Sequence, residues 1–357
     1  MISYSLVDWG KPLEAVERPD PTPEGTEVLV RVRRSGVCHS DVHIRHGYFD
    51  LGDGQRFNMW DRGMKPPMTL GHEVFGEVIA AGPDADLAAH DAPLGSSRLI
   101  FPWLGCGNCE CCAEDRENDC VAMKAIGIIR DGGYATHVLV PHPKYLVDVD
   151  GIDPDVATPY ACSGLTVFSA LKKVLPLRDD EWLAILGAGG LGLSAVTIAK
   201  AMGVENIVSV DIDDAKLEAA KESGARAALN SRGETADNIK ALQEITGGRL
   251  LGAVDTVGAP PTAELGIGAM RKTGRYVLVG LHGGSTRVSL PTMAQRALTV
   301  RGSYVGSLPE LRELIALVKT GKVKPIPVAT RPLEQASETL DDLEAGRIVG
   351  RVVLTTE

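Results

Sequence analysis

Trp182-Leu183-Ala184-Ile185-Leu186 runs directly into Gly187-Ala188-Gly189-Gly190-Leu191-Gly192. Five apolar residues read as a short buried strand, and the apolar run from Leu191 to Met202 reads as a helix. Between them the glycines satisfy G-x-G-x-x-G, a pattern that carries meaning only in this strand–turn–helix context. The first glycine allows a tight turn, the second lets a pyrophosphate approach the backbone, and the third packs helix on strand. The helix N-terminus then favours negative charge. The next strand, Asn206 to Val210, ends at Asp211, 19 residues beyond Gly192. A carboxylate there accepts hydrogen bonds from both ribose hydroxyls and repels a 2′-phosphate, which predicts NAD rather than NADP.

Working outward, the same alternation continues. A helix is expected over Asp213 to Ser223, and strands over Gly252 to Val257 and Arg275 to Val279. Repeated strand and helix predict an α/β fold with a doubly wound parallel sheet covered on both faces. Towards the N-terminus the period changes. Glu27 to Arg33 alternates apolar and charged residues, as a half-buried strand does, and Gly76 to Ala80 and Thr136 to Val140 are further strand candidates. Up to about residue 157 the chain reads as strands and loops. After about 304 come a helix (Pro309 to Thr320) and a closing strand, Arg351 to Leu354, too short a tail to be a third domain. The expected division is therefore 1–157 with 304–357, and 158–303.

The 357 residues carry 37 Lys plus Arg against 47 Asp plus Glu, a formal charge of −10. A surface of that sign repels phosphate backbones, so neither nucleic acid nor an anionic membrane is an expected partner. Met1-Ile2-Ser3-Tyr4-Ser5 has no basic segment leading into an apolar run, so no signal peptide is expected. No segment is apolar enough to predict a membrane span. Seven cysteines, five of them between 106 and 120, do not suit a disulfide framework. They suit a reduced, metal-binding protein of the cytoplasm.

Cys106, Cys109, Cys112 and Cys120 follow C-x2-C-x2-C-x7-C. Four thiolates on one loop can close a tetrahedron around zinc with no open position, a structural site. Cys111 is spare, either as a free thiol or as a ligand in place of Cys112. Cys38, His72 and Cys162 are dispersed, but Gly36-Val37-Cys38-His39-Ser40-Asp41 and Gly71-His72-Glu73 are polar, glycine-flanked segments. Two cysteines and one histidine leave a fourth position for water or substrate, which a catalytic zinc needs.

With Gly71-His72-Glu73-Val74-Phe75-Gly76, Gly82, Cys162-Ser163-Gly164-Leu165-Thr166 and Gly350-Arg351 added, the chain resembles the zinc-containing alcohol dehydrogenases of the medium-chain dehydrogenase/reductase superfamily over nearly its full length. The resemblance implies a mainly β GroES-like catalytic domain beside the Rossmann domain, NAD, two zinc ions per chain, and a small-molecule alcohol, aldehyde or ketone as substrate. It implies that Cys38, His72 and Cys162 ligate the catalytic zinc, that Glu73 sits close behind it or completes its shell, and that Asp41 orients His72. Ser40 would bond the substrate oxygen and begin a proton relay towards His43. Cofactor contacts fall on Gly187, Gly189, Gly190, Leu191, Gly192 and Asp211. Lys216 would lie near the adenosine ribose, Val279 near the nicotinamide and Arg351 near the pyrophosphate. Phe49, Trp103 and Leu281 would wall the substrate pocket, with His39 and His282 near the cofactor or pocket. A homo-oligomer, dimer or tetramer, is implied by analogy.

The chain departs from the family's common spacing between Cys38 and His72, where Leu51 to Pro67 looks inserted. Phe57, Met59, Trp60 and Met64 within it predict an apolar rim over the pocket mouth, and hence apolar or aromatic alcohols. Two other readings stand beside this one. One is a polyol, sugar or hydroxyacyl-thioester dehydrogenase with the same machinery. The other is a zinc- and cofactor-binding relative without turnover, against which the joint presence of Cys38, Ser40, His72 and Cys162 argues.

Overall fold

The computed structural model describes residues 1–356. Val28–Gly36 forms the centre of a seven-stranded sheet. Glu73–Ala81 pairs antiparallel along its whole length, while His137–Val140 and Arg351–Thr355 pair with its two halves on the other edge. Ser97–Ile100 and Leu146–Val147 extend the sheet outward. The chain's tail thus returns to the N-terminal sheet, with Val328–Pro332 alongside it.

Six parallel strands make the second sheet, in the order Ala227–Asn230, Ile207–Asp211, Trp182–Leu186, Leu250–Asp255, Arg275–Leu278, Thr299–Gly302. Chain order reverses on either side of Trp182–Leu186, so the crevice beyond its carboxyl end is the topological switch point where ligands bind. The continuous apolar run there has a packing cause. Leu183 and Ile185 enter one core with Val196 and Ile198, while Ala184 and Leu186 enter the core on the opposite face with Leu265 and Tyr276. A strand covered on both faces cannot alternate apolar with polar.

Two local features differ from the sequence expectation. The segment after Cys38 is a helix, His39–His46, where strands and loops were expected. Gly47 ends it in a left-handed conformation (φ 85°), donating to the His43 and Ile44 carbonyls. The inserted segment is a hairpin, Tyr48–Gly52 with Gln55–Asn58, closed by a single turn of 3-10 helix over Met59–Arg62. No helix of the described residues is long and apolar enough to cross a membrane.

Candidate active site and metal centres

A cavity of about 710 Å³ opens between the two sheets. At its foot, one potential ligand atom from each of Cys38, His72, Glu73 and Cys162 lies within 4.8 Å of the others, and all four residues are buried. Three separate elements bring them together. Cys38 precedes the helix His39–His46, His72 precedes and Glu73 opens the strand Glu73–Ala81, and Cys162 precedes the helix Ser163–Val174.

The histidine is aimed. Its Nδ1 lies 3.1 Å from Asp41 Oδ1. A carboxylate accepts only, so Nδ1 carries the proton and Nε2 is left as an acceptor. That Nε2 is buried without a hydrogen-bond partner. An orphaned buried acceptor beside two cysteines is costly unless a cation fills the space, so the donor set fits zinc. The neighbouring Cys162 side chain, ahead of His72, holds the Cys38 thiol well below its usual range, which favours the thiolate.

Asp41 itself is fully buried in the first turn of its helix and is held from three sides. Besides His72, its Oδ2 accepts from the Cys38 amide at 3.0 Å and from the Tyr134 hydroxyl at 2.9 Å. Burial, with Asp41 next to it, keeps the Tyr134 phenol protonated well above its usual range. Tyr134 escaped the sequence reading because it lies in a loop far from every motif.

Glu73 faces Arg351, whose guanidinium bonds both carboxylate oxygens. Burial pushes the Glu73 carboxyl up and Arg351 pulls it back, leaving it at about 7. Arg351 also reaches the glycine turn, since a Cβ on Gly190 would lie 2.4 Å from its Cδ. One arginine therefore joins the buried cluster to the dinucleotide loop.

Gly187, Gly189, Gly190, Leu191 and Gly192 line the same cavity, with Asp211, Lys216 and Val279. A Cβ on Gly192 would sit 1.9 Å from the Gly187 carbonyl oxygen, so the helix can pack this closely only on glycine. Asp211 ends its strand with Oδ2 accepting from the Ala188 amide at 2.7 Å, which ties the glycine turn to the acidic position. Open space at Gly189, where a Cβ would meet nothing within 4 Å, leaves room for a pyrophosphate against the backbone.

His39, Ser40 and His43 project along the wall of the cavity from their short helix, and His282 lines it from the far side. The His43 ring lies 5.0 Å from the Phe49 ring. Burial first, then the nearby His39, lowers the His43 pKa from its ordinary 6.5. Trp103 is almost wholly buried, its Nε1 donating to the Ala161 carbonyl at 3.0 Å and its ring 5.4 Å from His72. Leu281 lines the cavity and is half exposed.

The inserted hairpin corrects one expectation. Phe57 and Met59 line the cavity with Leu51, but Trp60 does not. Its ring stacks edge-on against Trp9 at 5.9 Å, on the outer side. Met64 is a core residue, 1% exposed. Strand register explains the difference. Phe49 pairs directly with Phe57 across the hairpin, which puts both rings on one face, whereas Trp60 falls in the following turn. Arg62 and Tyr304, which belong to no motif, also line the cavity.

Cys106, Cys109, Cys112 and Cys120 converge, and Cys111 stands outside. Cys109 lies 3.5 Å from Cys112 and 3.7 Å from Cys120, and Cys106 lies 4.0 Å from Cys112. Sulfurs about 2.3 Å from a central zinc would stand about 3.8 Å apart at the corners of a tetrahedron. Amides of Cys106, Gly107 and Asn108 donate to the sulfurs. The Asn108 amide, ahead of the neighbouring thiols, holds the Cys106 thiol down to about 7. The donor set fits a closed zinc site. Buried Glu117 pins this lobe, accepting from the Gly105 amide at 2.7 Å and the Tyr145 hydroxyl at 2.8 Å.

Comparison with known proteins agrees with this arrangement. Residues 24–151 match the alcohol dehydrogenase GroES-like domain and residues 190–320 the zinc-binding dehydrogenase family. An NAD-dependent alcohol dehydrogenase of Sulfurisphaera tokodaii is 37% identical over 99% of both chains. An alcohol dehydrogenase of Geobacillus stearothermophilus is 35% identical over 97% of this chain and 96% of its own. The crystal structure of the alcohol dehydrogenase from Aeropyrum pernix superposes with a TM-score of 0.88, at 29% identity, over 99% of this chain and 100% of that one. With two donor sets suited to zinc and a dinucleotide turn in one cleft, the chain belongs to the zinc-containing alcohol dehydrogenase family of the medium-chain dehydrogenase/reductase superfamily.

Proposed function

We propose that the protein catalyses reversible hydride transfer between an alcohol with an apolar or aromatic body and NAD, at a zinc held by Cys38, His72 and Cys162. The observation that carries this reading is the orphaned Nε2 of His72, buried among Cys38, Cys162 and Glu73 at the foot of the cavity that the glycine turn shares. When bound, zinc acidifies an alcohol beside it and NAD accepts the hydride.

The chain's own residues supply the rest. Asp41 fixes the His72 tautomer, and Tyr134 fixes Asp41. Ser40 accepts the alcohol proton by hydrogen bonding and passes it towards His43, which stands neutral at pH 7 because burial lowers its pKa. Arg351 balances the Glu73 carboxylate and adds positive charge near the pyrophosphate position. Asp211 selects NAD, with Lys216 beside the ribose and Val279 by the nicotinamide. The walls at Phe49, Trp103 and Leu281 favour hydrocarbon over polyhydroxy substrates.

Cys106, Cys109, Cys112 and Cys120 hold a second, structural zinc, giving two per chain. Residues 1–157 and 304–357 form the zinc-binding catalytic domain and residues 158–303 the NAD-binding domain. Seven cysteines without a disulfide support a reducing, cytoplasmic setting, and the working form is a homo-oligomer, dimer or tetramer. The test is NADH formation by the zinc-loaded protein over primary, secondary, aromatic and polyhydroxy alcohols. Aromatic alcohols turning over faster than sorbitol support the reading, and the reverse order overturns it.

A further inference from the structure

The inserted hairpin brings a cation to the pocket. Arg62 ends the short 3-10 turn after the hairpin and lines the cavity. Its guanidinium stands 5.7 Å over the Phe57 ring, and Tyr304 lines the same cavity. Among the described residues Arg62 has no carboxylate partner. Asp50, Asp53, Asp61 and Arg56 of the hairpin segment are engaged elsewhere; Ser285 donates to Asp53 Oδ2 at 3.0 Å. Asp50 Oδ1 accepts from the Gly52 amide at 2.8 Å, Asp61 Oδ2 accepts from Asn58 at 3.2 Å, and Arg56 stacks 3.9 Å over Tyr48.

The route from this cation to the buried cluster is apolar. Tyr304 stacks edge-on against Trp103 at 6.1 Å, and Trp103 lies 5.4 Å from His72. Two aromatic contacts separate the reacting end of the cavity from the cationic end. A planar guanidinium matches the fork of a carboxylate, the Tyr304 phenol offers a further donor within the same cavity, and one cation suits a single negative charge better than a doubly charged phosphate.

Resting on the alcohol oxidation proposed above, we propose that Arg62 and Tyr304 form a carboxylate-binding subsite. The preferred substrates are alcohols whose reacting carbon and terminal carboxylate are separated by an aromatic ring or a medium alkyl spacer. Arg62 is then a specificity-determining residue, and the apolar walls bind the spacer.

The test compares kcat/KM for para-hydroxymethylbenzoate with that for its neutral methyl ester. The parent should favour the acid by about tenfold, through KM, as expected for a charge-assisted bidentate pair at a solvent-near position. Arg62→Gln should bring the ratio close to one, and Arg62→Lys should keep part of it, since lysine retains the charge without the fork. The parent's preference should shrink as salt is raised. A parent ratio near one, or a preference that survives Arg62→Gln, overturns the subsite while leaving alcohol oxidation standing. Failure of the parent to oxidise either compound overturns the underlying reading and the subsite together.

Discussion

Tyr134 and Asp41 meet through a 2.9 Å hydrogen bond although 93 residues separate them, and both are fully buried. The bond fixes the carboxylate that fixes His72. Asp41→Asn should weaken zinc affinity at the buried cluster by about 10–100-fold, because a neutral amide no longer enforces the Nδ1–H tautomer. Tyr134→Phe should act in the same direction and cost about 1–3 kcal/mol of stability, having left one acceptor site of a buried carboxylate empty. Chelator competition and thermal unfolding read the two effects. Unchanged affinity in both variants would remove Asp41 from the metal site.

Cys109→Ser should remove one of two zinc ions and a large part of the stability, since closed sites contribute folding energy directly. Cys111→Ser, outside the cluster, should remove none. Metal analysis of the parent finding a single zinc contradicts the two-site reading.

Cofactor choice should follow Asp211. The parent should prefer NAD over NADP by a factor on the order of 100 in kcat/KM, equivalent to about 2.7 kcal/mol. Asp211→Gly should relax that preference because the repulsion of a 2′-phosphate leaves with the carboxylate. It should also loosen the glycine turn, whose Ala188 amide loses its acceptor.

The pH dependence of oxidation follows from His43. Burial disfavours its charged form, so the neutral, proton-accepting ring persists to a pH below its ordinary 6.5. Oxidation should therefore hold at neutral pH and fall only as pH descends through that lowered value. His43→Gln should flatten this acid limb. A limb that survives unchanged assigns the proton acceptor elsewhere.

The hairpin separates two tryptophan and phenylalanine roles. Phe57→Ala should cost about 1 kcal/mol of apolar contact with a bulky alcohol, roughly fivefold in kcat/KM, and much less with ethanol. Trp60→Ala should affect both alcohols alike, because its ring packs on Trp9 and not on the cavity.

How much of this was legible depends on how local each feature is. Gly187 to Gly192 and the four-cysteine loop are contiguous, so their chemistry could be read directly. The helix His39–His46 was not, because its eight residues are largely polar and its apolar residues, Val42 and Ile44, give no helical stripe. Tyr134 and Glu117 act through tertiary contacts that no spacing encodes. Trp60 misled for a related reason. Composition marked the insertion as aromatic, but only the pairing of Phe49 with Phe57 decides which rings face inward.

NADH formation from benzyl alcohol by Cys162→Ser, with zinc content measured on the same sample, decides whether the buried Cys38–His72–Cys162 cluster is the catalytic centre. The variant should stay folded, retain one zinc in the cysteine lobe and lose turnover. A variant that holds one zinc and still oxidises the alcohol at the parent's rate would contradict this assignment.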